Sequence, residues 1–133
     1  MATIIPYLAV QDKQCREAFE FYKDAVGGKL DFVRLGDSPG NDDKPDADLI
    51  MHVALTGPVN LYGCDNVMGG TITPGDNVRV CYVGTVAEIT SAFTKLSVGG
   101  KVRHELESTF FGTYGDLTDK YGFGWMLQAD KED

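Results

Sequence analysis

Acid–base chemistry at neutral pH depends in this 133-residue sequence on two histidines, His52 and His104. His52 lies in an apolar run, residues 49–55, whose composition predicts a strand. A single histidine in such a strand is more often a hydrogen-bonded core residue than a catalyst, but both interpretations stay open. His104 precedes Glu105 and Glu107, and we expect it to be a surface residue beside a carboxylate.

The other groups able to act as nucleophiles or ligands are sparse. Three cysteines, Cys15, Cys64 and Cys81, have neither the even number nor the C-x-x-C spacing of a disulfide framework or a zinc site. We predict that they are small core residues with free thiols, which suits a reducing cytosol. An acidic loop at residues 36–48 lacks the central glycine and terminal glutamate of a calcium loop, so a solvated loop is predicted.

The composition restricts the possible partners and locations. The formal net charge of −8 argues against nucleic acid and anionic membrane surfaces as partners. A hydrophobic fraction of 43% is enough for a core without disulfides or metal. The N-terminus has no basic region and no long apolar run, so we expect no signal peptide, no membrane span and a cytoplasmic location.

An internal repeat divides the sequence into two halves. Residues 21–30 and 93–102 are identical at six of ten positions, at an offset of 72 residues. Each copy ends an amphipathic helix whose apolar residues recur at helical spacing. We expect Asp12 to be the N-cap of the first helix, and Thr85 and Glu88 to form a capping box at the start of the second.

A strand-like run precedes each helix and three follow it, which predicts a β-α-β-β-β module written twice and an α+β fold. The predicted strands are residues 3–10, 29–35, 49–55 and 59–64 in the first module, and residues 78–83, 101–105, 113–117 and 124–128 in the second. We expect a single domain with module 1 at about 3–65, a hinge at about 66–76 and module 2 at about 77–129.

Several segments, taken in order, resemble the PhnB-like branch of the glyoxalase/bleomycin resistance/dioxygenase (vicinal oxygen chelate) superfamily. They are Ile5-Pro6-Tyr7-Leu8, residues 15–22, Gly27-Gly28, residues 51–55, Ser108-Thr109-Phe110-Phe111-Gly112 and residues 117–127. Phe111 stands where tryptophan is usual in that branch. The resemblance implies a glyoxalase-like fold, in which duplicated modules form a curved mixed sheet or half-open barrel around a cup. It also implies a homodimer, a common state for small cytosolic proteins.

Superfamily enzymes usually hold one divalent metal in the cup through His, Glu or Gln on the first and last strands of each module. By the resemblance, the four ligand positions fall at Ile5, Leu61, Val78 and Met126, none of which binds a hard divalent ion. A shift of one residue in either direction brings in no His, Asp, Glu or Cys. We therefore expect no metal. We expect no nucleotide cofactor either, because both Gly-Gly pairs follow helix C-termini instead of preceding helix N-termini.

The predicted function is the binding of a small organic molecule in the cup by a metal-free, PhnB-like protein. Aromatic walls with a few polar groups are typical of small-ligand pockets, but also of ordinary cores. His52 is the expected polar group of the site. The expected wall residues are Tyr62, Tyr82, Phe111 and Trp125, with Tyr7, Phe110 and Tyr114 as further aromatic candidates.

Two alternatives from other functional classes remain open at this stage. A metal-dependent lyase, isomerase or dioxygenase would need His52 to recruit carboxylates from elsewhere in the chain. A drug-sequestering protein of the bleomycin-resistance type would hold a cationic drug at a dimer groove, and the net charge of −8 is compatible with that. Because one scaffold hosts many chemistries, the fold alone does not decide whether the chain is an enzyme.

Overall fold

The computed structural model describes residues 1–130, which divide into two units along the chain. Unit 1, Met1–Ile72, has one helix and a four-stranded sheet with the order β1-β4-β3-β2, in which β1 and β4 are parallel and the other neighbours antiparallel. Its elements are β1 (Tyr7–Val10), α1 (Cys15–Val26), β2 (Lys29–Arg34), a 3-10 turn (Leu35–Asp37), β3 (Ile50–Thr56) and β4 (Leu61–Asp65).

Unit 2 begins at Thr73 and repeats the same plan. Its sheet has the order β5-β8-β7-β6, and again the first and last strands of the unit are parallel. Its elements are β5 (Val80–Val83), α2 (Val86–Leu96), β6 (Lys101–Thr109), β7 (Gly112–Thr118) and β8 (Gly124–Asp130). The predicted α+β fold with a β-α-β-β-β module written twice is therefore confirmed. Within residues 1–130, neither helix has both the length and the apolar character needed to cross a bilayer.

The strand limits differ from the predicted ones where pairing partners begin or end. Strand β1 starts at Tyr7 instead of residue 3, because its partner β4 starts at Leu61 and Tyr7 pairs with Tyr62. Strand β6 continues to Thr109 instead of ending at residue 105, because it forms a hairpin with β7 in which Thr109 pairs with Gly112. Pairing, more than local propensity, sets the ends of these strands.

Each helix covers one face of its own sheet. The apolar stripe of α1 is confirmed, since Cys15, Phe19 and Tyr22 are fully buried. The ring of Phe19 packs so closely on β4 that a Cβ atom at Gly63 would lie 2.6 Å from its Cε1 atom. A glycine at position 63 is therefore what allows the helix to approach this strand. We call the opposite side of each sheet its helix-free face.

The two helices begin in different ways. The capping box of α2 is confirmed, because Glu88 N donates to Thr85 Oγ1 at 3.1 Å and Thr85 N donates to the Glu88 carboxylate at 2.9 Å. The prediction for α1 was wrong: Gln14 is the N-cap residue, it makes no side-chain cap, and Asp12 has a positive φ of 59° in the preceding turn.

Asp65, the last residue of β4, supplies the acceptor that α1 lacks. Its carboxylate is buried, and it accepts hydrogen bonds from Cys15 N at 3.0 Å and from Ile50 N at 2.7 Å. One side chain thereby joins the first residue of α1, the first residue of β3 and the end of β4. An anionic acceptor at a helix N-terminus is also favoured by the helix dipole.

The acidic loop after β2 is tied back by one cation. Arg34 Nη1 lies 2.7 Å from Asp48 Oδ1, and Arg34 Nη2 lies 3.1 Å from Asp37 Oδ1. Both aspartates are substantially exposed, so these pairs contribute little to stability. They fix the two ends of the loop to one point of β2.

We expect Asp65→Ala to lower the free energy of unfolding by about 3 kcal/mol, because two buried backbone N–H groups lose their acceptor. Urea unfolding followed by circular dichroism measures the change. The matched control is Asp42→Ala, which removes the same charge from an exposed position of the acidic loop. Equal unfolding midpoints for the two variants would contradict the structural role of Asp65.

Candidate functional site

Three aromatic side chains meet on the helix-free face of unit 1. Tyr7 comes from β1, Tyr62 from β4 and His52 from β3. Residues facing the two sides of a strand alternate, so Leu61 and Gly63 are buried on the helix side while Tyr62 points the other way. The register sets Tyr7 directly beside Tyr62. We call Tyr7, His52 and Tyr62 the aromatic cluster.

The geometry of the aromatic cluster leaves part of it open to a ligand. The ring of His52 lies 5.0 Å from that of Tyr62, and the ring of Tyr7 lies 5.8 Å from that of His52. The Tyr7 hydroxyl lies 3.3 Å from His52 Nδ1. Tyr7 is 52% exposed, and His52 and Tyr62 are half-buried. The cluster therefore presents edges and faces of rings together with two polar atoms.

The raised pKa of Tyr7 keeps a proton on its hydroxyl that is available for a hydrogen bond to His52. Burial, and to a smaller extent the thiol of Cys64, raises the pKa of Tyr7 to about 12. The phenol thus keeps its proton at neutral pH and can donate it to Nδ1 of a neutral His52. In that state His52 carries its own proton on Nε2, which is then a donor for a ligand.

A second polar cluster lies on the helix-free face of unit 2, around Asp116 of β7. The Asp116 side chain is only 2% exposed. His104 Nδ1 lies 2.8 Å from Oδ1, the Tyr114 hydroxyl donates to Oδ2 at 2.9 Å, and Arg79 Nη1 lies 3.5 Å from Oδ2. We call Arg79, His104, Tyr114 and Asp116 the Asp116 cluster.

Asp116 is held as a carboxylate despite its burial. Burial alone would raise its pKa, but hydrogen bonds from His104 and Tyr114, with the charges of His104 and Arg103, outweigh burial and hold the pKa below its ordinary value. A carboxylate only accepts hydrogen bonds, so His104 must carry its proton on Nδ1. The expectation that His104 has a carboxylate neighbour is met by Asp116 on the adjacent strand, not by Glu105 or Glu107.

The structure places the predicted wall residues in different settings. His52 and Tyr62 lie together in the aromatic cluster. Trp125, 2% exposed, packs in the core of unit 2 and donates from Nε1 to Asp119 at 2.8 Å. Tyr82 shares that helix side, since it and Val80 pair with Leu127 and Trp125 in register.

Phe111 occupies the turn between β6 and β7. It is 51% exposed, and its ring lies 5.3 Å from that of Phe110 and 6.4 Å from that of Tyr114. It therefore neighbours the Asp116 cluster through Tyr114. Within unit 2, Phe111 belongs to the hairpin end and Trp125 to the core.

The strand register shows which of the four ligand positions implied by the resemblance face away from the helix. Met126 lies on the helix-free face, whereas Leu61 faces the helix and Ile5 and Val78 precede their strands. On the first and last strands, the residues that face away from the helix include Tyr7, Ala9, Tyr62 and Cys64 in unit 1, and Cys81, Val83, Met126 and Gln128 in unit 2.

This donor set does not fit a divalent metal centre of the superfamily type. On these strands, phenols, a thioether, two thiols and one carboxamide, that of Gln128, stand where such a centre uses a set of imidazole and carboxylate ligands. Within residues 1–130, no group of three or more His, Cys, Asp and Glu side chains is placed to hold a metal ion.

The Asp116 cluster was missed by sequence reasoning, although one signal was present. An aspartate in the middle of a strand, two residues after Tyr114 and beside Leu117, is unusual because aspartate is unfavourable in strands. Its partner Arg79 is 37 residues away in the chain, so only the fold identifies the contact.

The lowered pKa of Asp116 predicts a pH-dependent effect of Asp116→Asn. The folded state holds the carboxylate form more strongly than the unfolded chain does. The contribution of the Asp116 carboxylate to the free energy of unfolding is therefore complete above the pKa of about 4 that aspartate has in the unfolded chain. It is lost as the pH falls through the lower pKa of the folded state. We expect the variant to lose about 2 kcal/mol at pH 7 and clearly less at pH 3. Urea unfolding at both pH values measures this, with Asp43→Asn of the exposed loop as control. A difference that does not change with pH would contradict it.

Comparisons with known proteins agree with this architecture. The model of the Glyoxalase/Bleomycin resistance protein/Dioxygenase superfamily matches residues 4–127. Among curated protein sequences, none matches. Protein PA1353 from Pseudomonas aeruginosa is 31% identical and superposes with a TM-score of 0.86, covering 99% of this chain and 100% of that one.

More distant structures share the fold. The PhnB protein from Bacillus cereus is 22% identical with a TM-score of 0.75, covering 96% of this chain and 99% of that one. The fosfomycin resistance protein FosX from Mesorhizobium loti is 8% identical with a TM-score of 0.65, covering 98% and 92%. Since the superfamily model spans nearly the whole chain and PA1353 matches it over its full length, this protein belongs to the Glyoxalase/Bleomycin resistance protein/Dioxygenase superfamily.

Proposed function

We propose that this protein binds a small, flat organic molecule against the aromatic cluster of unit 1, and that it does so without a divalent metal. The observation that carries the proposal is the convergence of three rings, with centroid distances of 5.0 to 6.5 Å, on a sheet face that the helix does not cover. Aromatic surfaces with a few polar atoms are the usual lining of small-ligand sites.

Stacking supplies the main contact in this proposal. The rings of Tyr7 and Tyr62 stand at 90° to each other, so a flat ligand lying on one ring meets the edge of the other. Edge-to-face and offset contacts of this kind are worth about 1 kcal/mol each beyond the area they bury. A conjugated ligand therefore gains more here than a saturated ligand of equal size.

Hydrogen bonding sets the orientation and the ligand class. In the tautomer that we propose, the Tyr7 hydroxyl donates to His52 Nδ1 and the Nε2 atom of His52 is a donor. A donor beside stacked rings favours a ligand that carries an acceptor oxygen, such as a carbonyl, next to its aromatic system. His52 thus has the polar role expected from the sequence in this proposal, and Tyr62 that of a wall.

The side chains on the helix-free face of the first and last strands of each unit support binding without a metal. Tyr7, Tyr62, Cys81 and Met126 offer stacking and soft contacts instead of hard ligands. The homodimer expected from the resemblance remains part of the proposal, and analytical ultracentrifugation measures it.

We expect acetophenone, which combines a ring with a carbonyl oxygen, to bind unit 1 more tightly than cyclohexyl methyl ketone. The readout is proton NMR of the histidine Cε1–H resonances, because the chain has two histidines and His52→Gln assigns them. Acetophenone should move the His52 signal and not that of His104. Tyr62→Leu should weaken binding about tenfold through loss of stacking, whereas Tyr121→Leu in a turn of unit 2 should leave it unchanged.

Equal binding of the two ketones, or an unmoved His52 signal at millimolar acetophenone, would contradict the proposed site.

The metal-free part of the proposal has its own measurement. The dissociation constant of acetophenone should be the same in EDTA and in excess Zn²⁺, Mn²⁺ or Ni²⁺, because stacking on the cluster needs no metal. Isothermal titration with each metal alone should show no stoichiometric binding. Tight binding of one ion per chain that disappears in His52→Gln would overturn this part and leave the ketone result to be judged separately.

A further inference from the structure

A groove of about 460 Å³ lies on unit 2, beside the Asp116 cluster. Its lining combines one cation, two carboxylates, a histidine, a tyrosine and a threonine. The residues are Arg103, His104, Glu105, Glu107, Thr109 and Tyr114. A volume of this order holds a ligand of amino-acid size.

Charges of both signs stand unpaired in this groove. Within residues 1–130, Arg103 forms no ion pair with Glu105 or Glu107, although all three line the same space. Arg103 lies near enough to Tyr114 and Asp116 for its charge to influence both ionisations. The groove therefore offers one place for an anionic group and a separate place for a cationic one.

The buried carboxylate of Asp116 decides what His104 and Tyr114 can offer. The Tyr114 hydroxyl gives its single proton to Asp116, so its oxygen presents lone pairs. His104 gives its Nδ1 proton to Asp116, so in the neutral ring Nε2 is also an acceptor. The His104 side chain is 68% exposed, which leaves Nε2 accessible. Tyr114, and His104 whenever its ring is neutral, therefore add acceptors to those of the two glutamates.

We propose that this groove is a binding site for a small zwitterion that carries an ammonium and a carboxylate, such as a free α-amino acid. The ammonium is accepted by Glu105, Glu107, Tyr114 Oη and His104 Nε2, and the carboxylate is bound by Arg103, whose planar guanidinium matches it. The Asp116 cluster holds two acceptors in fixed positions before binding, which reduces the entropy lost on association.

An apolar side chain on the ligand also has a contact. The ring of Phe111 is half exposed and packs against Tyr114 at 6.4 Å, so an aromatic surface borders the polar groove. This favours an amino acid with an apolar or aromatic side chain over glycine. The inference rests on residues of unit 2 alone and is independent of the function proposed for the aromatic cluster.

The test compares L-phenylalanine with two analogues that each lack one charge, 2-phenylethylamine and 3-phenylpropanoate. All three are titrated into the full chain, and the Cε1–H signals of His104 and His52 are followed by NMR. L-Phenylalanine should move the His104 signal, leave that of His52 in place, and bind at least about tenfold more tightly than either analogue.

Charge-removing variants separate the two halves of the site. Arg103→Gln should weaken the binding of L-phenylalanine to the affinity of 2-phenylethylamine, and it should leave the affinity for 2-phenylethylamine unchanged. The double variant Glu105→Gln/Glu107→Gln should weaken the binding of L-phenylalanine to the affinity of 3-phenylpropanoate. Lys101→Gln, which removes a charge from an exposed position of the same strand outside the groove, is the matched control and should have no effect.

Either analogue binding as tightly as L-phenylalanine would overturn the zwitterion assignment. So would an unmoved His104 signal at 20-fold molar excess and millimolar concentration, or an equal loss in Lys101→Gln. Because the substituted side chains are exposed, unchanged circular dichroism of each variant shows that a lost affinity does not come from unfolding.

Discussion

The buried carboxylate of Asp65 is the contact on which the arrangement of unit 1 depends. It accepts from the first residue of α1 and the first residue of β3, while itself ending β4. The turn that leads into α1 holds Asp12 and Lys13 at positive φ values of 59°, which is unfavourable for residues other than glycine. Since Asp65 fixes where the helix begins, α1 covers one side of the sheet and the aromatic cluster is left on the other.

The two modules share a register but have diverged in what they place on it. In unit 1, Tyr62 of the last strand pairs with Tyr7 and Ala54; in unit 2, Met126 pairs with Cys81 and Asp116. An alanine in one module thus corresponds to a buried aspartate in the other. With the partners that unit 2 also supplies, His104, Tyr114 and Arg79, that aspartate makes this face ionic where the equivalent face of unit 1 is aromatic. The same module plan thus carries an aromatic cluster in one unit and an ionic cluster in the other.

Patterns of nearby residues predicted the helices and strands. The candidate sites depend on contacts between residues that are far apart in the chain. The capping box of Thr85 and Glu88 is visible in the sequence because both partners lie within one helical turn. The roles of Asp65 and Asp116 are not, because their partners are up to 50 residues away. Trp125 shows the difference most clearly: its aromatic character suggested a pocket wall, but the side of the sheet that it faces depends on register. A strand shifted by one residue reverses every side chain, and composition does not reveal that choice.

The side chains on the helix-free face of each sheet determine which interactions can contribute to the binding of a ligand. In a superfamily enzyme with a metal, the ion polarises the bound ligand as a Lewis acid. In the function proposed for unit 1, the binding energy would come from stacking on Tyr7, His52 and Tyr62, with one hydrogen bond to orient the ligand. In the groove proposed for unit 2, it would come from charged groups beside a buried network that is already in place. The module plan itself does not require this carboxylate, since the corresponding position in unit 1 is an alanine, although its hydrogen bonds stabilise unit 2. In the groove proposed for unit 2, the carboxylate has a further role besides stability, because its hydrogen bonds direct the outward lone pairs of Tyr114 and of a neutral His104.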